Sequence, residues 1–316
     1  MMKYRHALPQ LADQIFLTDG GMETTLVFIQ GVELPYFAAF DQLCIEPGRQ
    51  RLQDYYVDYI SLAKLAQRGF ILESPTWRAN RDWGIKLGYS GNELAEKNGE
   101  AIAMLASLRN RHETLETPLV ISGCIGPRGD GYVADNKMSA QQAHEYHREQ
   151  VRTFAETEAD MVTAMTINYV EEAIGIVNAA QEANMPVVIS FTTETDGCLP
   201  TGESLAGAIT RVDAETNTGP AYYMINCAHP EHFRDQLKES EPWMNRIRGV
   251  RANASRKSHA ELDESESLDR GDPTELGQQY RELRDIFPNI TVLGGCCGTD
   301  LEHVEAIHEH CCRPLR

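Results

Sequence analysis

The stretch LGGCCGTD, residues 293–300, sets two neighbouring cysteines, Cys296 and Cys297, between Gly294, Gly295 and Gly298. Successive side chains of a regular strand point to opposite faces. Two neighbours therefore grip one object only where the backbone leaves regular geometry, and the glycines permit such a turn. The object that suits adjacent thiols is a soft, tetrahedral metal ion. A third thiolate from Cys227 would complete a set fit for Zn²⁺, with a fourth position open to water or substrate. Zn²⁺ with three thiolates carries a net single negative charge and is a poor electrophile for hydrolysis. It is a good seat for a fourth thiol, because free thiols have a pKa of about 8.5 and coordination deprotonates them. The chemistry suggested is activation of a thiol whose sulfur then attacks an alkyl donor. Buried, inert cysteines are the other reading, since Cys227 is remote in sequence and no C-x-x-C spacing accompanies it.

A fold that carries such a site has to bring residue 227 beside residues 296 and 297. Eight short apolar runs, at 15–21, 70–76, 119–126, 161–166, 186–193, 222–227, 248–255 and 290–297, are each followed by a longer helical pattern. Several are near-continuous apolar runs, as strands buried on both faces should be. Leu52, Tyr56, Tyr59, Ile60 and Ala63 fall on one helix face, and segments 140–156 and 170–184 behave alike. Gly69, Asn184 and Asn289 read as helix C-terminal caps. Thr299 with Glu302 reads as a capping box opening the last main helix. Strand and helix eight times over predict an α/β protein, a (β/α)8 TIM-type barrel, with residues 1–316 as a single domain. A doubly wound open sheet is the alternative, and eight strands favour closure. Reactive residues of a barrel lie at the C-terminal ends of its strands. Asp19, Cys227, Cys296 and Cys297 all fall there.

The composition narrows the function classes. A net charge of −18 leaves no basic face for nucleic acid. No run approaches the roughly 20 apolar residues of a membrane span, and the first residues lack the apolar core of a secretory signal. Eight cysteines, four of them in adjacent pairs, in a chain of 316 residues point to thiols or metal sites in a reducing cytoplasm. The charged run 256–273 reads as a solvated loop. Cys124 and Cys198, near the ends of the third and fifth strands, read as structural. The tail HEHCCRP, 308–314, falls at the far end of the barrel and reads as no site. Asn226 and Asn253 sit at strand ends, to bind a ligand or to satisfy backbone groups.

GGCCGT (294–299), INC (225–227) and TDGGMETTL (18–26) resemble the zinc-dependent homocysteine S-methyltransferases, as do CIGPRGDGYVAD (124–135) and SPTWRAN (74–80). The resemblance runs through nearly the whole chain in order, and the GGCC segment with an upstream N-C is its specific part. It implies a barrel, zinc held by Cys227, Cys296 and Cys297, and methylation of a thiol, L-homocysteine giving methionine. It further implies that Asp19 helps bind the amino acid, with the N–H groups of Gly20, Gly21 and Met22 near its carboxylate.

One position departs from that pattern. The family commonly has a glutamate at the end of the fourth strand to pair with the ammonium of homocysteine, and here Met165 stands in its place. A thioether cannot pair with an ammonium, and an unpaired buried cation is costly. Either another carboxylate substitutes, Glu73 or Glu194, or the acceptor is a different thiol or a selenol. The chain leaves no room for folate and cobalamin domains, so the expected donor is a small cation such as S-methylmethionine, S-adenosylmethionine or betaine. Trp77 and Tyr36 offer aromatic faces for it. The expected partners are thus two small molecules, with no nucleic acid and no membrane, and a homo-oligomer is compatible with the sequence. A barrel whose zinc is structural and whose catalysis is lost is the reading from another class; a fourth protein ligand would favour it.

Overall fold

A computed structural model of the chain describes residues 2–237, 241–265 and 267–312. All eight expected strands are present: β1 (Phe16–Leu17), β2 (Gly69–Glu73), β3 (Leu119–Ile125), β4 (Met161–Ile167), β5 (Val187–Phe191), β6 (Tyr222–Asn226), β7 (Ile247–Ala252) and β8 (Val292–Gly295). They pair in parallel and in sequence order, and β8 closes on β1, so the sheet is a barrel and not an open sheet. Parallel strands need a crossover, and helices supply most of them. Long helices Glu46–Ala66, Gly91–His112, Ala140–Ala155, Val170–Glu182, Leu205–Thr216, Pro273–Ile286 and Leu301–Cys312 wrap the strands. Among the described residues after β6 the helical pattern shrinks to the single turn Pro230–Phe233 and two 3-10 turns, Arg234–Leu237 and Pro242–Arg246, because that segment carries no sustained apolar period. No helix among the described residues is long and apolar enough to cross a membrane.

Both faces of nearly every strand are buried, which explains their near-continuous apolar runs. One face packs on the helices. The other fills the barrel, with Phe16, Val120, Met161, Tyr222 and Val292 among its inward side chains. Toward the C-terminal ends of the strands the inward positions turn polar: Glu73, Ser122, Thr163, Ser190 and Asn226 are buried there. At the opposite end Asp160 accepts from the N–H of Lys3 (3.1 Å), Tyr4 (2.8 Å) and Ile121 (2.9 Å) and pairs with Arg109 (2.6 Å). That carboxylate ties the N-terminal arm across the barrel floor.

The caps correct several sequence expectations. Asn184 is left-handed (φ 53°) after its helix, as expected. The helix before β2 ends instead on left-handed Gln67, and Gly69 belongs to β2, where the Phe16 ring leaves no room for a side chain. Asn289 takes no left-handed conformation; its amide donates to the carbonyls of Met244 (3.2 Å) and Ile247 (2.9 Å). Thr299 does not form the expected capping box with Glu302. Its hydroxyl donates to the Cys296 carbonyl (2.7 Å), and Asp300 with His303 opens the last helix (2.8 Å between Oδ1 and Nδ1).

Candidate active site

Past Gly295 the strand pattern of β8 stops. The N–H of Cys296 still reaches the carbonyl of Ala252 (2.8 Å) on β7, but Thr299 N–H then turns back onto Cys296 O (3.1 Å). Gly298 completes this turn with φ 80°, and a side chain there would lie 2.7 Å from the Asp269 carbonyl. The turn aims both neighbouring sulfurs at one point. Cys227 reaches it from the end of β6, itself left-handed (φ 53°) and anchored by its N–H on Arg251 O (3.1 Å). The Sγ atoms of Cys227, Cys296 and Cys297 all lie within 4.8 Å of one another, so the expected set does assemble. Cys227 and Cys296 are joined as a disulfide with Cα atoms 5.4 Å apart.

Each sulfur has a polar neighbour. The Thr166 hydroxyl is 3.8 Å from Cys227 Sγ, the Asn226 amide 3.9 Å from Cys296 Sγ, and the Tyr132 hydroxyl 3.5 Å from Cys297 Sγ. Asn226 is held in turn: its amide donates to Thr166 Oγ1 (2.8 Å), and its oxygen accepts from Thr166 N–H (3.0 Å) and Ser190 Oγ (2.6 Å). Thr166 is left-handed (φ 61°) at an irregularity in the β4–β5 register, which brings its hydroxyl inward. His259 roofs the group, with Nε2 2.6 Å from Cys227 O and its ring stacked on Tyr132 at 4.1 Å. Once the Cys227–Cys296 disulfide is reduced, three soft donors, with polar hydrogens near them and one side facing a cavity, fit a metal ion of the zinc type.

That cavity encloses about 370 Å³, within the range of small-molecule sites. Asp19, Gly20, Gly21, Met22, Trp77 and Met165 line it together with the three cysteines. Asp19 is already engaged: Oδ1 accepts from Arg251 (2.7 Å) and Oδ2 from the Tyr55 hydroxyl (3.1 Å). Burial pushes the Asp19 carboxyl up, while Arg251 and Tyr55 oppose the shift. Gly20 is required for close approach, since a side chain would meet Tyr59 Oη at 2.7 Å and Thr299 O at 2.8 Å. The N–H of Gly21 is committed to Thr299 O (3.0 Å). Glu73 lines the cavity, and burial pushes it up to about 7 against the pull of Arg251. Glu23 also lines it and is likewise raised to about 7 by burial.

Other expected residues stand apart. Met165 is inward and buried, its carbonyl accepting from the Trp77 indole (3.2 Å). Glu194 sits 3.4 Å from His259 Nδ1, and Tyr36 is exposed with its ring 5.7 Å from that of Trp83; neither lines the cavity. Cys124 lines the cavity and is buried, its thiol pushed well up by burial, but it is not one of the three clustered cysteines. Cys198 lies on a bridge with Ser204 outside the cavity, and buried Asn253 does not line it either. Cys311 belongs to the outer core; Arg313 and Pro314 of the tail lie outside the described residues.

Sequence reasoning missed Arg251, Arg78, Glu23, Tyr132 and His259. Arg251 had a signal: an arginine at an inward position of a buried strand demands a carboxylate, and Asp19 was the candidate. The segment read as solvated is partly a wall of the cavity, contributing His259, Leu262 and Leu268. Its apolar residues were the overlooked sign.

The family model described as homocysteine S-methyltransferase matches residues 16–311. Homocysteine S-methyltransferase 2 of Arabidopsis thaliana is 23% identical over 318 residues, spanning 92% of this chain and 91% of that protein. Among solved structures, the oxidized form of the homocysteine methyltransferase MmuM from Escherichia coli superposes with a TM-score of 0.77 at 18% identity, covering 97% of this chain and 99% of that one. Its metallated form gives 0.72 at 18% identity over 96% and 98%.

Proposed function

Because the chain belongs to the homocysteine S-methyltransferase family, we propose that it is a zinc-dependent enzyme that moves a methyl group from a small cationic donor to the thiol of L-homocysteine, giving methionine. The observation that carries this reading is the cluster of three sulfurs within 4.8 Å, opening on a cavity of small-molecule size. Cys227, Cys296 and Cys297 would hold the zinc, and bound there it supplies deprotonation of a thiol near neutral pH. The set has three protein ligands among the described residues, which favours an open, catalytic position over a closed structural one.

The chain's own residues position the reaction. Thr166, Asn226 and Tyr132 fix the three sulfurs in place by their polar hydrogens. Tyr132 and His259 cover the site and limit water. Asp19, Gly20, Gly21 and Met22 face the acceptor's headgroup, and Trp77 and Met165 bound the space between. In the transfer the acceptor thiol loses its proton to solvent. Its sulfur forms the new bond to the methyl carbon as the carbon–sulfonium or carbon–ammonium bond of the donor breaks. The donor leaves neutral, so no strong general acid is needed, and the work of the site is orientation of an activated nucleophile. A reducing cytoplasm suits such thiolates.

Two observations favour a second reading, the same transfer to a different thiol or a selenol: Met165 offers no charge at the end of β4, and Asp19 is held by Arg251. Calorimetric titration of the reduced, zinc-loaded protein with L-homocysteine, in buffers of different ionisation enthalpy, separates the two. Tight binding with release of about one proton, together with methionine formation, is the expected result. No binding at full zinc occupancy would overturn homocysteine as the acceptor.

A further inference from the structure

The segment between β3 and the helix Ala140–Ala155 carries Tyr132 to the cysteine cluster, and side chains from neighbouring loops grip its backbone. The carbonyl of Pro127 accepts from the Asn80 amide (3.1 Å), that of Gly129 from Arg78 Nη1 (3.0 Å) and that of Asp130 from the Asn168 amide (2.9 Å). Arg78 is itself stacked between the indoles of Trp77 and Trp83, each ring centre 3.9 Å away. The Asp130 carboxylate then accepts from the N–H groups of Tyr132 (2.7 Å) and Val133 (3.1 Å). Gly131 makes room for this turn, since a side chain there would lie 3.1 Å from Thr166 Cγ2 and 3.2 Å from the Trp77 ring. The Tyr132 hydroxyl ends 3.5 Å from Cys297 Sγ.

The N–H of Arg128 is held differently, by a carboxylate from outside the segment. Glu172 Oε1 accepts it at 2.8 Å. Glu172 stands in the first turn of the helix Val170–Glu182 and is fully buried, with His147 Nε2 2.9 Å from the same oxygen. His147, on the helix Ala140–Ala155, is 1% exposed, and its Nδ1 has no hydrogen-bond partner among the described residues. A buried pair of this kind costs desolvation and adds little stability over apolar packing. The two helices do not need it to meet, because Gly175 already brings them together at Ala143. What the pair offers, and apolar side chains in its place would not, is an acceptor for the Arg128 N–H.

We propose that Glu172, oriented by His147, is a positioning residue for the site: it fixes the backbone that leads to Tyr132, and through the Tyr132 hydroxyl it sets the reactivity and metal affinity of the Cys297 sulfur. The pair touches neither the cysteines nor the cavity. Its effect reaches Cys297 only through the four residues between Arg128 and Tyr132. The inference rests on the methyl-transfer reading for what Cys297 does, and on this chain's own contacts for how Cys297 is held.

The test is a double-mutant cycle of Glu172→Leu and Tyr132→Phe, with Glu172→Gln as the rescue. Two readouts are taken besides turnover: alkylation of each cysteine in the reduced, zinc-free protein, and zinc affinity by chelator competition. Each single variant should speed alkylation of Cys297 about tenfold, the worth of one hydrogen bond to a charged sulfur, and weaken zinc ~10–100-fold. The double variant should go little further than the larger single one, because both act on one contact. Glu172→Gln keeps an oxygen for the Arg128 N–H and should leave Cys297 alkylation within about twofold of wild type. Cys311, which reports loosening of the whole fold, should react no faster in any variant. Additive effects, an unrescued Glu172→Gln, or Cys311 speeding up with Cys297 overturns the positioning role. So does a Tyr132→Phe protein whose Cys297 behaves as wild type, a comparison that holds even where Glu172→Leu fails to fold. The coupled alkylation pattern in a wild type that makes no methionine would overturn the transferase reading and leave the positioning role standing.

Discussion

Cys296–Cys297 and Cys311–Cys312 are the same dipeptide in two backbone settings. The first follows two glycines at the end of β8, in a turn closed by left-handed Gly298, and both of its sulfurs join Cys227 at one point. The second ends the helix Leu301–Cys312, where neighbours diverge by about 100° around the axis; Cys311 packs into the outer core, 5% exposed. Burial pushes the Cys311 thiol up to about 12, so it stays protonated and behaves as a small apolar side chain. Adjacency of cysteines therefore does not by itself gather sulfurs at one point; the backbone that presents them does.

The largest test of that contrast is replacement. Cys297→Ser should take zinc from about one per chain to near zero and lower activity by more than ~100-fold, beyond the ~10–100-fold that loss of an outer partner costs. Cys312→Ser should leave both unchanged. Atomic absorption and turnover on the same preparations decide it, and a fully active Cys297→Ser would end the contrast. Next in size is the turn itself. Gly298→Ala places a side chain on a left-handed residue, at a cost of about 1–2 kcal/mol, and should weaken zinc roughly tenfold in chelator competition while the fold persists. Unaltered affinity would mean that the turn does not set the sulfur geometry.

Two smaller effects sharpen the other side. Cys311→Ala should lower stability by about 1 kcal/mol through lost core packing, measured by urea unfolding, with zinc content untouched. The last concerns pH. A raised thiol pKa means less thiolate at any given pH. Alkylation of Cys311 in the native, reduced, zinc-free protein should thus stay negligible from about pH 7 to 9, a window well below 12. Cys297, at the cavity, should be modified in that window, as peptide mapping would show.

The same contrast explains what the sequence disclosed. The eight strands were readable because burial on both faces leaves an apolar run, and GGCC was readable because glycines announce an irregular turn. Gly69 misled because a glycine before a strand looks like a helix cap, whereas here it makes room for Phe16. Thr299 misled for a similar reason, its hydroxyl serving the Cys296 turn and not the following helix. Arg251 was overlooked although an inward arginine calls for a carboxylate such as Asp19, whereas Arg78 was lost because Trp77 and Trp83 are brought to it only by loop packing. The segment after β7 was hidden by its charge: a run of acids with Arg256, Lys257 and Arg270 reads as solvated even when His259, Leu262 and Leu268 within it turn inward.

Arg78 lines the cavity and lies 3.9 Å from the ring centres of both Trp77 and Trp83, which has an optical consequence. The chain has three tryptophans. Two of them, Trp77 and Trp83, touch the guanidinium that edges the cavity. The third, Trp243, sits in the turn Pro242–Arg246 before β7, toward the barrel floor. Two of the three indoles thus sit beside the cavity, with one far away as an internal standard. A molecule that seats against Arg78 should change the colour and yield of that light on mixing, so occupancy can be followed in real time without a dye, a label or a turnover.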